Sequence, residues 1–270
     1  MLRELFTLMR DRGSHVARRL GLDRESVSIA ARHGRCRAAW APHLDAAQQL
    51  ILEAADACPG RGTAVILGSG LCLDVPVAAL SERFATVLLV DAHQPRATRN
   101  MAKRFPNVRC VAADVTGMAQ EAAQAAKTRT PLPRPIPLPD PLPGVRPDFT
   151  VSVNLASQLP IPFYKLLARH RDTAEFAAFC QGLIETHFRW LSGLSGRVCL
   201  LCDTAWQRVD GDRIIENRDA LEGVVLPPPD RSWIWSIAPR PEESPAYDRQ
   251  NLVWGYRDFA SAWNASLKQV

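Results

Sequence analysis

The sequence predicts an α/β fold: a doubly wound, mostly parallel sheet with antiparallel C-terminal strands. Three observations predict it. Short apolar runs with β-branched residues recur at 63–67, 86–90 and 108–112, separated by helix-length segments. Continuous apolar strands alternating with helices mark a parallel sheet covered on both faces. The first run closes on Gly68-Ser69-Gly70 and the second on Asp91, so each strand ends in residues suited to a turn rather than to the core. Near the C-terminus, 232–237 and 251–256 alternate apolar and polar residues on either side of a polar, proline-containing linker, the pattern of an antiparallel pair.

Taken in order, residues 1–58 read as a helical N-terminal extension, broken near Gly13, Gly21 and Gly34. In its last helix Trp40, Leu44, Ala47 and Ile51 recur every three to four residues and form one apolar face. Pro59-Gly60-Arg61-Gly62 ends the helical region, and residues 59–270 form the α/β domain. A helix is expected over 72–83 after the first strand, and another over 95–104 before the third, which leads to Asp114. Residues 131–147 hold eight of the 21 prolines, one at every second position from Pro131 to Pro143. That insertion runs as a stiff polyproline II connection over the surface. A fourth strand follows at 148–154, then a helix at 173–192 and a fifth buried strand at 197–202. Asp210-Gly211 marks a hairpin turn between Gln207 and Ile215.

The chain has 270 residues, 47% apolar and 23% charged, the composition of a globular protein with ample core. No run approaches 18 apolar residues, so a transmembrane helix is excluded. The Arg-studded start lacks the pattern of a secretory signal. The odd number of cysteines (seven) argues against a disulfide framework, so a cytoplasmic location is expected. Net charge is +5, and it comes from residues 1–40, where nine Arg face Glu4, Asp11, Asp23 and Glu25. Such an arm can attract phosphates or an anionic surface, or lie on solvated helix faces. Residues 16–30 also fit a helix-turn-helix pattern, which makes nucleic acid a possible partner. Cys199 and Cys202 form a C-x-x-C on a strand, where they point to opposite faces, and no metal site is expected.

The chemistry gathers at four strand ends: Gly68-Ser69-Gly70, Asp91, Asp114 and Asn154. In an open parallel sheet, ligands bind beyond the C-terminal strand ends where the strand order reverses. Glycines there let backbone approach a ligand, and an acidic residue about 20 positions on can accept hydrogen bonds from ribose hydroxyls. A dinucleotide site prefers a third glycine, and Leu73 stands in that position.

The segments 65–70, 87–91, 111–115 and 148–155 together resemble the motifs of class I S-adenosylmethionine-dependent methyltransferases, whose architecture is Rossmann-like. The resemblance spans about residues 40–260. It implies S-adenosyl-L-methionine as cofactor, held by Gly68, Ser69 and Gly70 at the methionine part, by Asp91 and Ala92 at the ribose, and by Asp114 and Val115 at the adenine. Asn154 and Leu155 would lie beside the methyl donor. Leu67 stands where the family usually has an acidic residue, and Asn154-Leu155-Ala156-Ser157 where some members have Asn-Pro-Pro-aromatic. Asn154 and Gln158 are the candidates for orienting an acceptor, and methyl transfer needs mainly such alignment. Arg37, Trp40 and Ser157, with Arg35 and His43, are candidate substrate contacts, and His93 and His187 candidate bases. The acceptor is not identified by these motifs. The alternatives are a non-catalytic S-adenosylmethionine- or nucleic-acid-binding protein that reuses the fold, and an NAD-dependent oxidoreductase. An open compartment beside Asn154 marks the enzyme; apolar filling there marks the binding protein.

Overall fold

A computed structural model describes residues 22–134, 142–170 and 173–268 of the chain. The helices expected before residue 22, the start of the helix-turn-helix pattern and residues 135–141 of the proline-rich segment lie outside the described residues.

Two helices come first, α1 (Leu22–Arg35) and α2 (Arg37–Asp56). The alternation of strand and helix follows: β1 (Thr63–Leu67), α3 (Val77–Arg83), β2 (Thr86–Asp91), α4 (Arg96–Ala102), β3 (Val108–Ala112) and α5 (Ala119–Thr128). After the proline-rich segment come β4 (Phe149–Val153), a 3-10 turn (Ala156–Gln158), α6 (Ile161–Leu166) and α7 (Ala174–Ser192). The chain closes with β5 (Arg197–Asp210), β6 (Arg213–Asp219), β7 (Arg231–Ala238), β8 (Asp248–Tyr256) and α8 (Phe259–Leu267).

The strands form one sheet in the order β3-β2-β1-β4-β5-β8-β7, with β6 paired to the far half of β5. β1 to β5 are parallel, whereas β5–β6, β5–β8 and β7–β8 are antiparallel, as the alternating segments and the Asp210-Gly211 turn predict. Successive side chains of a strand serve opposite faces. Val65, Leu67, Leu88, Val90, Val198 and Leu200 therefore join one core with α5 to α8, while Ala64, Ile66, Val87, Leu89, Cys199 and Leu201 join the other with α2 to α4. Cys199 and Cys202 lie in different cores, so they cannot share a metal. Among the described residues no cluster of potential ligands could hold a metal ion, and no helix is long and apolar enough to cross a membrane.

Three expectations change. The helix expected at 72–83 begins only at Val77, because Cys72 is left-handed (φ 53°) and Pro76 keeps Val75 out of helical geometry. The proline-rich connection, where described, is neither helix nor strand, but it is not simply superficial: Leu132 and Leu142 are buried in the core. Within the expected N-terminal extension, α2 is an integral layer of the sandwich, with Ala47, Leu50, Ile51, Ala54 and Ala55 fully buried.

The contact of α2 with the antiparallel end depends on Gly255. A Cβ there would lie 2.5 Å from Leu50 Cδ2 and 3.0 Å from Trp233 Cζ3. Gly255→Ala should therefore lower unfolding stability by about 1–3 kcal/mol through overpacking. Denaturant melts with an unchanged midpoint would show that α2 does not seat this closely.

Candidate functional site

The strand order reverses between β1 and β4, and a cleft opens at that point beyond the strand ends. Its floor is the loop after β1. Gly68 and Gly70 both have left-handed backbone, with φ 72° and 44°. At Gly68 a Cβ would also sit 3.0 Å from Leu155 Cβ and from the Val153 carbonyl oxygen, so glycine is required twice over. The Gly68 and Ser69 N–H groups donate to the Val90 carbonyl at 2.9 and 3.2 Å, pinning the loop to the end of β2.

Asp91 completes the pin. Its Oδ2 accepts from Gly70 N at 2.9 Å and its Oδ1 from His93 N at 3.1 Å. Each oxygen keeps a further acceptor site. Burial pushes the Asp91 pKa up, against the N–H groups of His93, Gly70 and Ala92 and the His93 ring. Asp114 is used more fully by its own turn: Oδ1 accepts from Thr116 N and Oγ1, and Oδ2 from Ala119 N at the start of α5. Ala92 and Val115 line the cleft beside these carboxylates, as do Ser69, Leu155 and Gln158. The Ser69 hydroxyl is buried there without a hydrogen-bond partner.

Asn154 ends β4 in left-handed conformation, φ 46°, a geometry Asn tolerates better than most residues. Its Nδ2 donates to Asp74 Oδ2 at 3.1 Å, and its Oδ1 is buried with no donor. Asp74 is the residue the expected 72–83 helix concealed: it lies in the loop before α3 and lines the cleft. Burial raises its pKa, opposed by its own backbone N–H and by the Asn154 amide.

Above this side stands an aromatic wall. His43 and Trp40 of α2 and Trp235 of β7 line the cleft. His43 stacks on Trp235 with ring centroids 4.1 Å apart and planes 8° from parallel, and Trp40 meets Trp235 edge-on at 5.0 Å. Trp233 Nε1 donates to His43 Nδ1 at 3.0 Å. Because an indole N–H only donates, the neutral imidazole must carry its proton on Nε2. Burial pushes the His43 pKa down to about 3, which keeps the ring neutral. Leu22, Glu25, Ser26 and Ile29 of α1 cover the mouth, and Arg32 and Arg35 tether that helix to Glu242.

Several candidates lie elsewhere. Arg37 is exposed and does not line the cleft, and Arg35 is taken by Glu242. Ser157 is also absent from the lining; the 3-10 turn packs it towards β5, beside Cys202 and Asp203. His187 is fully buried in the opposite core, bonded to Ser152 Oγ at 2.9 Å, with its pKa pushed down to about 4 by burial. It has no access to the cleft, whereas His93 does. The Asp203 carboxylate, at the end of the apolar part of β5, is a third acid closing an apolar run, after Asp91 and Asp114, and the sequence motifs did not include it. Its Oδ2 accepts from Asn251 Nδ2 at 3.0 Å.

No family model matches the chain, and no curated protein matches it. Solved structures similar to it include complexes with S-adenosylhomocysteine. One is a DhpI–S-adenosylhomocysteine complex, 15% identical over 84% of this chain and 93% of that one, TM-score 0.35. Another is the N-methyltransferase NodS from Bradyrhizobium japonicum with S-adenosylhomocysteine, 11% identical over 78% and 86%, TM-score 0.37. A third is the 1,6-didemethyltoxoflavin-N1-methyltransferase of Burkholderia thailandensis, 14% identical over 87% and 91%, TM-score 0.33. At such values the functional argument rests on the cleft itself.

Asp203, buried on β5, gives the fold a pH signature. Burial, reinforced by Asp74, pushes its pKa up to about 7 against Asn251, Arg249 and Ser157. A raised folded-state pKa means stability present at low pH and lost as pH rises through about 7. Asp203→Asn should therefore gain stability over the wild type progressively from about pH 4 to pH 7, by at most about 1.4 kcal/mol per unit, and level off above. Thermal melts showing the same difference at pH 4.5 and pH 8 would contradict this.

Proposed function

We propose that this protein is an S-adenosylmethionine-dependent methyltransferase. The observation that carries the reading is the cleft at the β1/β4 reversal, where Asp91 both holds the left-handed glycine loop and keeps a free acceptor site on each oxygen. Those sites suit the two hydroxyls of a ribose. The glycine loop leaves no side chain between ligand and backbone, and the unpartnered Ser69 hydroxyl supplies a further polar contact. Asp114, with Oδ2 the less occupied oxygen, and Val115 would receive the adenine; Gly68 to Gly70 the methionine part; Ala92 the ribose edge.

When bound, the cofactor supplies a methyl group already activated on a sulfonium. The chain's own residues then have to orient the acceptor and exclude water. Asn154, Leu155 and Gln158 stand on the β4 side of the cleft and would do the orienting, while α1 covers the mouth. The compartment beside Asn154 is open rather than filled with apolar side chains, which favours an enzyme over a binding protein that reuses the fold. The dehydrogenase reading loses support for a physical reason. A dinucleotide pyrophosphate sits on a helix N-terminus at the glycine loop, and here α3 starts only at Val77.

Calorimetry with S-adenosylhomocysteine and with NAD tests this. The former should bind, and Asp91→Ala should cost about 2–3 kcal/mol of affinity by removing two hydroxyl acceptors. Heat from NAD alone would transfer the case to the oxidoreductase.

A further inference from the structure

The cleft has a sign opposite to that of the chain. The protein carries 33 Lys and Arg, yet among the described residues lining the cleft there is none, while Glu25, Asp74, Asp91 and Asp114 all line it. Glu25 is exposed, and Asp91 and Asp114 are occupied by backbone N–H groups of their neighbours; Asp74 has its own backbone N–H and the Asn154 amide for company, and no described cation lines the cleft beside it. A desolvated carboxylate without a positive partner is costly, and a cation supplied by a ligand offsets that cost.

Independent of the acids, three buried polar atoms of the same cleft have no partner: Asn154 Oδ1, His43 Nε2 and Trp235 Nε1. Their residues are 3%, 1% and 8% exposed, so solvent does not satisfy them cheaply. Their chemistry is divided. Asn154 Oδ1 accepts, on the Asp74 side. His43 Nε2–H and Trp235 Nε1–H donate, from the aromatic wall. The two sides are held in place relative to each other, because Leu73 packs into the Trp40–Trp235 cluster and its carbonyl accepts from Gln48 of α2 at 3.0 Å.

We propose that the methyl acceptor is an amine attached to a planar group and bound as its cation: its nitrogen donates to Asp74 and to Asn154 Oδ1, its plane lies along the Trp40–Trp235 wall, and a lone-pair atom on it accepts from His43 Nε2–H or Trp235 Nε1–H. Before transfer the ammonium gives one proton to the Asp74 carboxylate, and the freed lone pair forms the N–CH3 bond as the sulfonium S–CH3 bond breaks to leave a neutral thioether. An ammonium is the donor-only, positively charged group this end of the cleft lacks. Aromatic faces favour cations and flat rings alike. The assignment rests on the methyltransferase reading only in leaving this half of the cleft to the acceptor.

The probes are tyramine, its alcohol tyrosol and its acid analogue 4-hydroxyphenylacetate, three molecules that share a phenol and differ in the charge of the tail. Binding is measured by calorimetry on the full chain, with and without saturating S-adenosylhomocysteine. Tyramine should bind about tenfold or more tighter than either analogue, the margin of a charge-assisted hydrogen bond. Asp74→Asn should bring the three within about threefold of one another while leaving S-adenosylhomocysteine affinity unchanged within twofold. Trp235→Phe, which keeps the ring and removes the N–H, should weaken tyramine and tyrosol alike. Failure of tyramine to bind, preference for the acid, or a loss of S-adenosylhomocysteine binding in Asp74→Asn would overturn the proposal. The wild-type ranking decides by itself if that variant does not fold. Absence of S-adenosylhomocysteine binding together with a clear amine preference would instead overturn the methyltransferase reading and leave the amine site standing.

Discussion

Everything at the site hangs on the absence of a side chain at Gly68. The chain runs outward from β1 to β2 to β3 and then returns to the other side of β1 as β4, so the loops after β1 and β4 leave in opposite directions. A crevice between them follows from that order alone. What the sequence adds is its depth: Gly68 lets Leu155 and the end of β4 close to within van der Waals contact of the β1 backbone. The left-handed turn then aims Gly70 N at Asp91, and Thr98 Oγ1 of α4 secures the same glycine by donating to its carbonyl at 2.6 Å. Loop, carboxylate and helix thus fix one another without any ligand.

The opposite wall is built on a different principle. α2 belongs to the core through Leu50 and Ile51 and to the cleft through Trp40 and His43, which lie two to three turns earlier along the same apolar side. Its dual role makes the wall rigid. Trp40 is buried and donates through Nε1 to the Ile237 carbonyl at 2.9 Å, and Trp233 fixes the tautomer of His43. Groups whose rotamers are set by packing present their remaining N–H groups at defined positions, which is what selective binding requires. Leaving polar atoms unpartnered in a packed wall costs stability, and such costs persist where function uses them.

The sheet was legible because its signals are local and redundant: five apolar runs, each closed by a turn former or an acid, and a hairpin dipeptide at Asp210-Gly211. The strand-end side of the cleft was legible for the same reason, since Gly68, Asp91, Asp114 and Asn154 follow or close the strands that line it. The side formed by Asp74, α2 and β7 was not. Asp74 reads as helix surface until Pro76 is seen to delay α3, and Asp203 hides behind the apolar run 197–202 although it obeys the same strand-end rule as Asp91. His187 was misplaced because an isolated His on an amphipathic helix gives no sign of which face is buried. Trp235 reached the cleft only through the pairing of β7 with β8, a contact between residues distant in the chain. Even the three helices not foreseen, α5, α6 and α8, are short segments whose stability comes from packing rather than from propensity.

Net charge misdirects here in an instructive way. A basic N-terminal arm suggests an anionic partner, yet two arginines of its described part, Arg32 and Arg35, tie elements together. Arg32 and Arg35 meet Glu242 and Glu243 across the mouth of the cleft, and Arg35's hydrogen bond holds the Glu242 carboxyl down to about 2. Elsewhere Arg231 reaches Glu53, and Arg240 reaches Asp210 and Asp248. Exposed pairs of this kind add little stability individually. Their effect is positional: they set α1 over the acidic cleft, and among the described residues no guanidinium lines it. Positive charge drawn outward and negative charge turned inward give a cleft whose local field is opposite to the molecule's overall charge, and it is the local field that a bound ligand experiences.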